Sequence, residues 1–289
     1  MINFRYHLVS LAAVFLALAA GLGLGAGLLA DDGSGSDTTT DARIDPAVVA
    51  FENAYAARTS GALLDGTLTN ARVLVVTAPG ARSAEVEGLT AALDQAGATV
   101  VGEVALTGQL LDASNRQFAE GVAQESAAGV EGLDATGDSY GRIGAALARA
   151  LVGRDDLSLD DPAATIRAAF VEGGLIDLAS APADRADLVL VVTGTSPAGN
   201  ARGSILADFT SAFAAAGRGA ALVGPALTSL ENGVLTQARA SDASSGFATV
   251  DVTDTAAGRA VAVLALARAS AGEYGSWGTS RSADGALPD

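Results

Sequence analysis

The polar side chains best placed for chemistry lie in one loop, directly after the most strand-like apolar run of the chain. The run is Asp187–Thr193, and the loop adds the side chains of Thr193, Thr195, Ser196 and Asn200. The N–H groups at the start of a following helix could bind an anion at this edge of a sheet. The chain has neither a P-loop lysine nor a Gly-x-Gly-x-x-Gly motif. Two interpretations therefore stay open, a ligand-binding loop or a set of turn and helix-capping residues.

Carboxylates form three further groups that could hold a hard cation. They are Asp155 with Asp156, Asp160 with Asp161, and Asp251 with Asp254. None has the ligand spacing of an EF-hand loop. Helix caps and solvated faces explain such aspartates equally well, and this interpretation is the one we favour.

The residue types of the chain exclude several kinds of site. There is no cysteine, Met1 is the only methionine and His7 is the only histidine. Beyond residue 7, a Cys/His zinc site, a Ser-His-Asp triad and a blue-copper site are therefore impossible. We predict no catalytic residue, no metal ligand and no bound cofactor, with an enzyme acting through the 193–200 loop as the alternative. All 17 basic residues are arginines and the net charge is −16, which argues against a nucleic-acid partner.

Alternating strand and helix patterns predict the fold that would position these groups. Arg72–Thr77 is a short, continuous and β-branched run, typical of a buried strand, and Ser83 can cap the helix that follows. The other predicted strands are Ala98–Val104, Asp187–Thr193, Ala220–Gly224 and Phe247–Val252. We therefore predict an α/β fold over residues 71–272, with a doubly wound, mostly parallel sheet flanked by helices, and a flexible tail over 273–289.

The N-terminal segment Leu8–Ala30 is uncharged and long enough to cross a bilayer as one helix. Arg5 precedes it and acidic residues follow it, so residues 1–7 are predicted to be cytoplasmic and the large domain extracytoplasmic. A cleaved signal peptide, cut after Ala19, is the competing interpretation. The predicted single-pass anchor includes Leu8, Val14, Phe15, Leu18, Leu22 and Leu28.

Residues 31–70 join the anchor to the domain. A Gly/Ser/Thr-rich linker over residues 31–41 is followed by a predicted helix over Asp45–Leu64. Its apolar residues recur at spacings of three and four, at Ile44, Val48, Phe51 and Tyr55. This stripe could pack on its own domain, which we expect, or pair with a second copy across a dimer.

The N-terminal part of the sequence and two later stretches resemble a known family. Residues 2–29 read INFRYHLVSLAAVFLALAAGLGLGAGLL, and the later stretches read LVLVVTG…PAGN and VDVTDTAAGRAVAVLALARASAGEYG. All three resemble the actinobacterial copper transport protein B (MctB) family, over the anchor and most of residues 71–275. The resemblance implies an envelope protein of copper homeostasis that acts as an efflux pore or permeability factor. It also implies a heptad-rich helix after the anchor, which is shortened here to Asp45–Leu64.

We accordingly expect a membrane-anchored protein of the cell envelope that contributes to copper homeostasis within an oligomeric assembly. Copper would be a transported ion and not a tightly bound cofactor, because no soft ligand lies beyond residue 7. The expected partners are the membrane, further copies of the chain and other envelope proteins. The alternatives are an envelope scaffold and an anchored α/β domain that binds a ligand or acts as an enzyme.

Overall fold

The computed structural model describes residues 45–133, 137–195 and 201–288. The predicted membrane segment 8–30, with all its anchor residues, lies outside these ranges. Among the described residues, none of the helices combines the length and the apolar character needed to span a bilayer.

Seven strands within the described residues form one sheet, in the order β3-β2-β1-β4-β5-β6-β7. Only the pair β2 and β3 is antiparallel; the other neighbours are parallel. The mostly parallel α/β fold predicted from the sequence is thus confirmed. The strands are β1 (Arg72–Thr77), β2 (Thr99–Leu106), β3 (Ile176–Ser180), β4 (Leu188–Val192), β5 (Gly219–Val223), β6 (Ala248–Val250) and β7 (Ser276–Trp277).

Helices cover both faces of this sheet, so its central strands are buried on both sides and consist almost entirely of Val, Leu and Ala. One face carries α2 and α8, and the other carries α3 to α7. The helices are α1 (Pro46–Leu64), α2 (Ser83–Gln95), α3 (Arg116–Ser126), α4 (Ser139–Leu151), α5 (Asp161–Glu172), α6 (Arg202–Ala216), α7 (Val234–Arg239) and α8 (Ala256–Ser270).

The C-terminal segment differs from the flexible tail predicted for residues 273–289. It contributes β7, because the backbone N–H of Asp251 donates to the carbonyl of Trp277 over 3.2 Å. The Asp251 carboxylate also accepts hydrogen bonds from Thr279 N (2.8 Å) and Ser280 Oγ (2.6 Å). It is also paired with the Arg239 guanidinium at 2.7 Å, in an ion pair whose side chains are 5% and 0% exposed. A long-range carboxylate therefore orders a stretch that is locally rich in Gly and Ser.

Helix α1 begins and ends where the sequence predicts, but its apolar stripe does not pack on the domain. Phe51 and Tyr55 are 69% and 64% exposed. The side of α1 that meets the domain instead carries Asn53, whose Oδ1 accepts the N–H of Ala256 (2.9 Å), and the fully buried Leu64. The expected packing of the stripe on its own domain is therefore wrong.

Candidate functional site

The sheet has a topological switch point between β1 and β4. From β1 the chain moves through α2 to β2 on one side, and from β4 it moves through α6 to β5 on the other. Ligands of open α/β proteins usually bind in the crevice that such a reversal creates at the carboxyl ends of the strands. The loop that contains Thr193 and Thr195 follows β4 at this edge, as the sequence predicts.

The structure gives the two described hydroxyls of this loop different surroundings. Thr193 is 1% exposed; its Oγ1 donates to the carbonyl of Gly194 (3.2 Å) and its N–H to that of Val223 (2.8 Å). Thr195 is exposed. Ser196 and Asn200 lie outside the described residues. The buried Thr193 at the end of β4 thus has a structural role. Of the two described hydroxyl groups in the loop, that of Thr195 is the one exposed to solvent.

Two glycines hold the loops after β1 and β4 against each other. A Cβ built on Gly194 would lie 1.8 Å from the carbonyl oxygen of Gly80, and one built on Gly80 would lie 2.8 Å from that of Thr195. Gly80 also has a φ of +95°, which glycine adopts without strain. A hydrogen bond from Ala78 N to Val192 O (2.8 Å) extends the strand pairing into the loops. Backbone therefore fills the place where a crevice would open between β1 and β4.

The start of α6 is also partly occupied. The N–H of Gly203 donates to Oε1 of Gln237 over 3.1 Å, and Ala201, which precedes the helix, offers no capping side chain. Helix N-termini bind anions through N–H groups that have no other partner. This bond removes one such donor, so the geometry weakens the anion-binding interpretation of the 193–200 loop.

An open cleft of about 380 Å³ lies beside the switch point, between the β1 loop, α2 and the end of β2. Its polar side chains include Thr77, Ser83, Glu87 and Glu103. Two carboxylates and no basic side chain line it, so it does not suit a phosphate or a carboxylate ligand. Within the described ranges, no group of three or more acidic or histidine side chains could hold a metal ion.

Two of the aspartates singled out in the sequence, Asp160 and Asp156, act as local hydrogen-bond acceptors. Asp160 caps α5, accepting from Ala163 N (2.9 Å) and from Arg149 Nη2 (2.6 Å), and these bonds hold its pKa below the ordinary value. Asp156 accepts from the hydroxyl and the N–H of Ser158, which likewise lowers its pKa. Helix capping by Asp160 and loop closure by Asp156 therefore explain these two carboxylates without a ligand.

One ionisable group with a strongly shifted pKa was missed by the sequence analysis. Burial and, to a smaller extent, the negative charge of the nearby Asp138 together raise the pKa of Asp208, on α6, to about 6. The hydroxyl of Tyr140 is buried with no hydrogen-bond partner among the described residues, and the charge of Asp208 contributes to raising its pKa, after the larger effect of burial. The sequence feature that could have identified Asp208 is its position next to Phe209, on the apolar side of a predicted helix.

Comparison with known proteins gives matches over nearly the whole chain. A family model described as "Copper transport outer membrane protein, MctB" matches residues 1–288. The "Copper transporter MctB" of Mycobacterium tuberculosis (strain ATCC 25618 / H37Rv) is 31% identical over 316 aligned residues, covering 98% of each chain. The protein of the same name from Mycobacterium leprae (strain TN) is 29% identical over 297 residues, covering 92% of each.

Proposed function

The chain belongs to the MctB family, and from this membership we propose that it is a single-pass protein of the cell envelope that contributes to copper efflux as part of an oligomeric assembly. The observation that carries the proposal is the extent of the family match, residues 1–288, which includes both the apolar N-terminal segment and the α/β fold. The family description names an outer-membrane protein of copper transport, which supports an envelope location.

In this proposal copper is a cargo that the assembly passes on. Cu(I) prefers thiolate and thioether ligands, and imidazole suits Cu(II). The chain has no cysteine, and its only Met and His are Met1 and His7. Oxygen ligands alone would bind copper weakly, which suits transfer and not storage. We further propose that this transfer involves no enzymatic step.

The proposed assembly follows from the physics of a single membrane helix. One helix satisfies its own backbone but encloses no path for an ion, so a pore requires several copies around it. The segment Leu8–Ala30 supplies one uncharged helix per chain, and Arg5 favours an N-terminus inside and a domain outside. In this arrangement the acidic domain, within a chain of net charge −16, attracts cations towards the assembly.

The test is the cellular copper content of a strain that lacks the gene. We expect copper to accumulate, and the intact gene to reverse the accumulation. A gene without residues 1–30 should not reverse it. A third gene, in which residues 8–30 are replaced by an unrelated membrane helix, separates anchoring from transport. Its product is anchored in the membrane but lacks the native segment that would line the pore, so it should not reverse the copper accumulation. Unchanged copper in the deletion strain would refute the proposal.

An envelope scaffold is a second candidate, favoured by the exposed apolar side chains of α1. A scaffold would bring a partner protein with it on purification, and its deletion would leave cellular copper unchanged. The deletion experiment thus distinguishes the two functions.

A further inference from the structure

Helix α1 has one side fixed to the domain and one side without a partner among the described residues. The fixed side carries Asn53 and Leu64, as described above. On the other side, Val48, Phe51 and Tyr55 are 47%, 69% and 64% exposed. We call the set Val48, Phe51, Tyr55 and Ala62, which is also exposed, the α1 stripe.

We propose that the α1 stripe is a contact surface between two copies of this chain, with their α1 helices parallel and in register. The inference deepens the oligomeric assembly proposed above and rests on that part of it. It names the surface, the partner and the orientation, which family membership alone does not supply.

The composition of the stripe suits a helix–helix contact. Its residues are separated by three, four and seven positions, so they form a line along one side of the helix. The rings of Phe51 and Tyr55 stack with their centroids 6.3 Å apart, so they present one continuous aromatic surface. Large exposed aromatic side chains beside each other are typical of interaction sites.

The charges beside the stripe decide the orientation. At about 100° per residue, Glu52 lies roughly 60° to one side of Tyr55 and Arg58 roughly 60° to the other. In a parallel pair related by a two-fold axis, opposite sides of the two helices meet, so Glu52 of each copy faces Arg58 of the other. In an antiparallel pair, like sides meet, and Glu52 would face Glu52. Charge complementarity therefore favours the parallel pair.

The size of the stripe predicts a weak contact that depends on the tether. At roughly 100 Å² for each of the three large side chains, one copy would bury only about 300 Å², less than half of what a standard interface buries per partner. The sequence that precedes α1 holds the 11-residue linker and the apolar segment. Two chains anchored by that segment approach from the same end, which raises their effective concentration and also favours the parallel orientation.

A membrane surface is a poorer occupant of the stripe. Peripheral helices bind anionic lipids through several basic residues beside their apolar side. Helix α1 has one arginine, Arg58, and one glutamate, Glu52, in a chain of net charge −16. Electrostatics would therefore repel this surface from anionic lipid.

Single-cysteine cross-linking tests the proposal cleanly, because the natural chain has no cysteine. The full-length variants Val48→Cys and Ala62→Cys are each oxidised with diamide in native membranes, and dimers are separated on non-reducing gels. A disulfide requires Cα atoms within about 7 Å, whereas positions 48 and 62 are about 21 Å apart along the helix. Ala57→Cys is the matched control, because it is exposed on α1 away from the stripe.

We expect Val48→Cys and Ala62→Cys each to form disulfide-linked dimers alone, at about ten times the yield of Ala57→Cys. Dimers that form only when the two stripe variants are mixed would show an antiparallel pair and overturn the proposal. Equal yields for all three variants, or none, would overturn it as well. These readouts do not involve copper. A failed cross-link in a strain whose copper is restored refutes the interface alone, and a successful cross-link with unchanged copper refutes the function alone.

Discussion

Replacing Asp251 with alanine should produce one of the largest losses of stability in the domain. The carboxylate is fully buried, 2.7 Å from Nη1 of Arg239, which is itself 5% exposed. It also accepts hydrogen bonds from Thr279 N and Ser280 Oγ. The substitution leaves a buried guanidinium with neutral partners only. Removing one member of such a pair costs about 3–5 kcal/mol of the free energy of unfolding.

The assay is urea unfolding of the full-length protein, followed by the fluorescence of Trp277, the only tryptophan. Its carbonyl accepts hydrogen bonds from Asp251 N and from Arg239 Nη2, so it reports directly on this region. Glu273→Ala is the control, because Glu273 pairs with Arg268 on the surface. Exposed pairs contribute about 0–1 kcal/mol. Equal losses for the two variants would refute the argument that burial determines the cost.

The pH dependence supplies an independent check. Burial raises the pKa of Asp251, but the bonds from Ser280, Thr279 and Arg239 outweigh this effect and hold the pKa below its ordinary value. The carboxylate therefore stabilises the fold above its unfolded-state pKa of about 3.9, and the contribution disappears as the pH falls through the lower folded-state value. The difference in stability between the natural chain and Asp251→Ala should thus be constant near neutral pH and shrink in strong acid.

Two further predictions concern the site and its surroundings. Gly194→Ala should lower the free energy of unfolding by at least about 2 kcal/mol, because the new Cβ would collide with the Gly80 carbonyl. Gly121→Ala, in open space on α3, should raise it by about 0.5–1 kcal/mol. Equal midpoints of urea unfolding for the two variants would contradict both predictions. Asp208→Asn should stabilise the protein against thermal unfolding more at pH 8 than at pH 5, because above its pKa of about 6 the natural carboxyl group is charged in a partly buried place. The control Asp155→Asn, at an exposed position, should show no such trend.

The buried strands were predictable because their surroundings are uniform. β1 and β4 are covered on both faces, so every position of β4 and the four central positions of β1 are apolar, and both runs stand out in the sequence. β3 is a half-exposed edge strand with the sequence IDLAS, which has no such signal. β7 has two residues and depends on a carboxylate about 25 positions away in the chain. A strand whose order depends on residues distant in the sequence has no local sequence pattern that would predict it.

The site was predictable in position but not in character. Strand-then-loop order correctly placed Thr193 at the carboxyl edge of the sheet. The loop that follows it lies against the β1 loop through Gly194 and Gly80, which are more than 100 residues apart in sequence. Similarly, the spacing of Phe51 and Tyr55 predicted a helix, but only the contacts of the opposite side show that these rings face away from the domain.

The C-terminal residues also protect one edge of the sheet from contact with other chains. Ser276 pairs with Thr249, and Ser280 completes the partners of Asp251. A chain truncated before Ser276 would therefore leave the open edge of β6 and a half-satisfied ion pair exposed. Exposed strand edges of this kind pair with other chains and promote aggregation. The last strand of the sheet thus covers an edge that a chain shortened before Ser276 would expose.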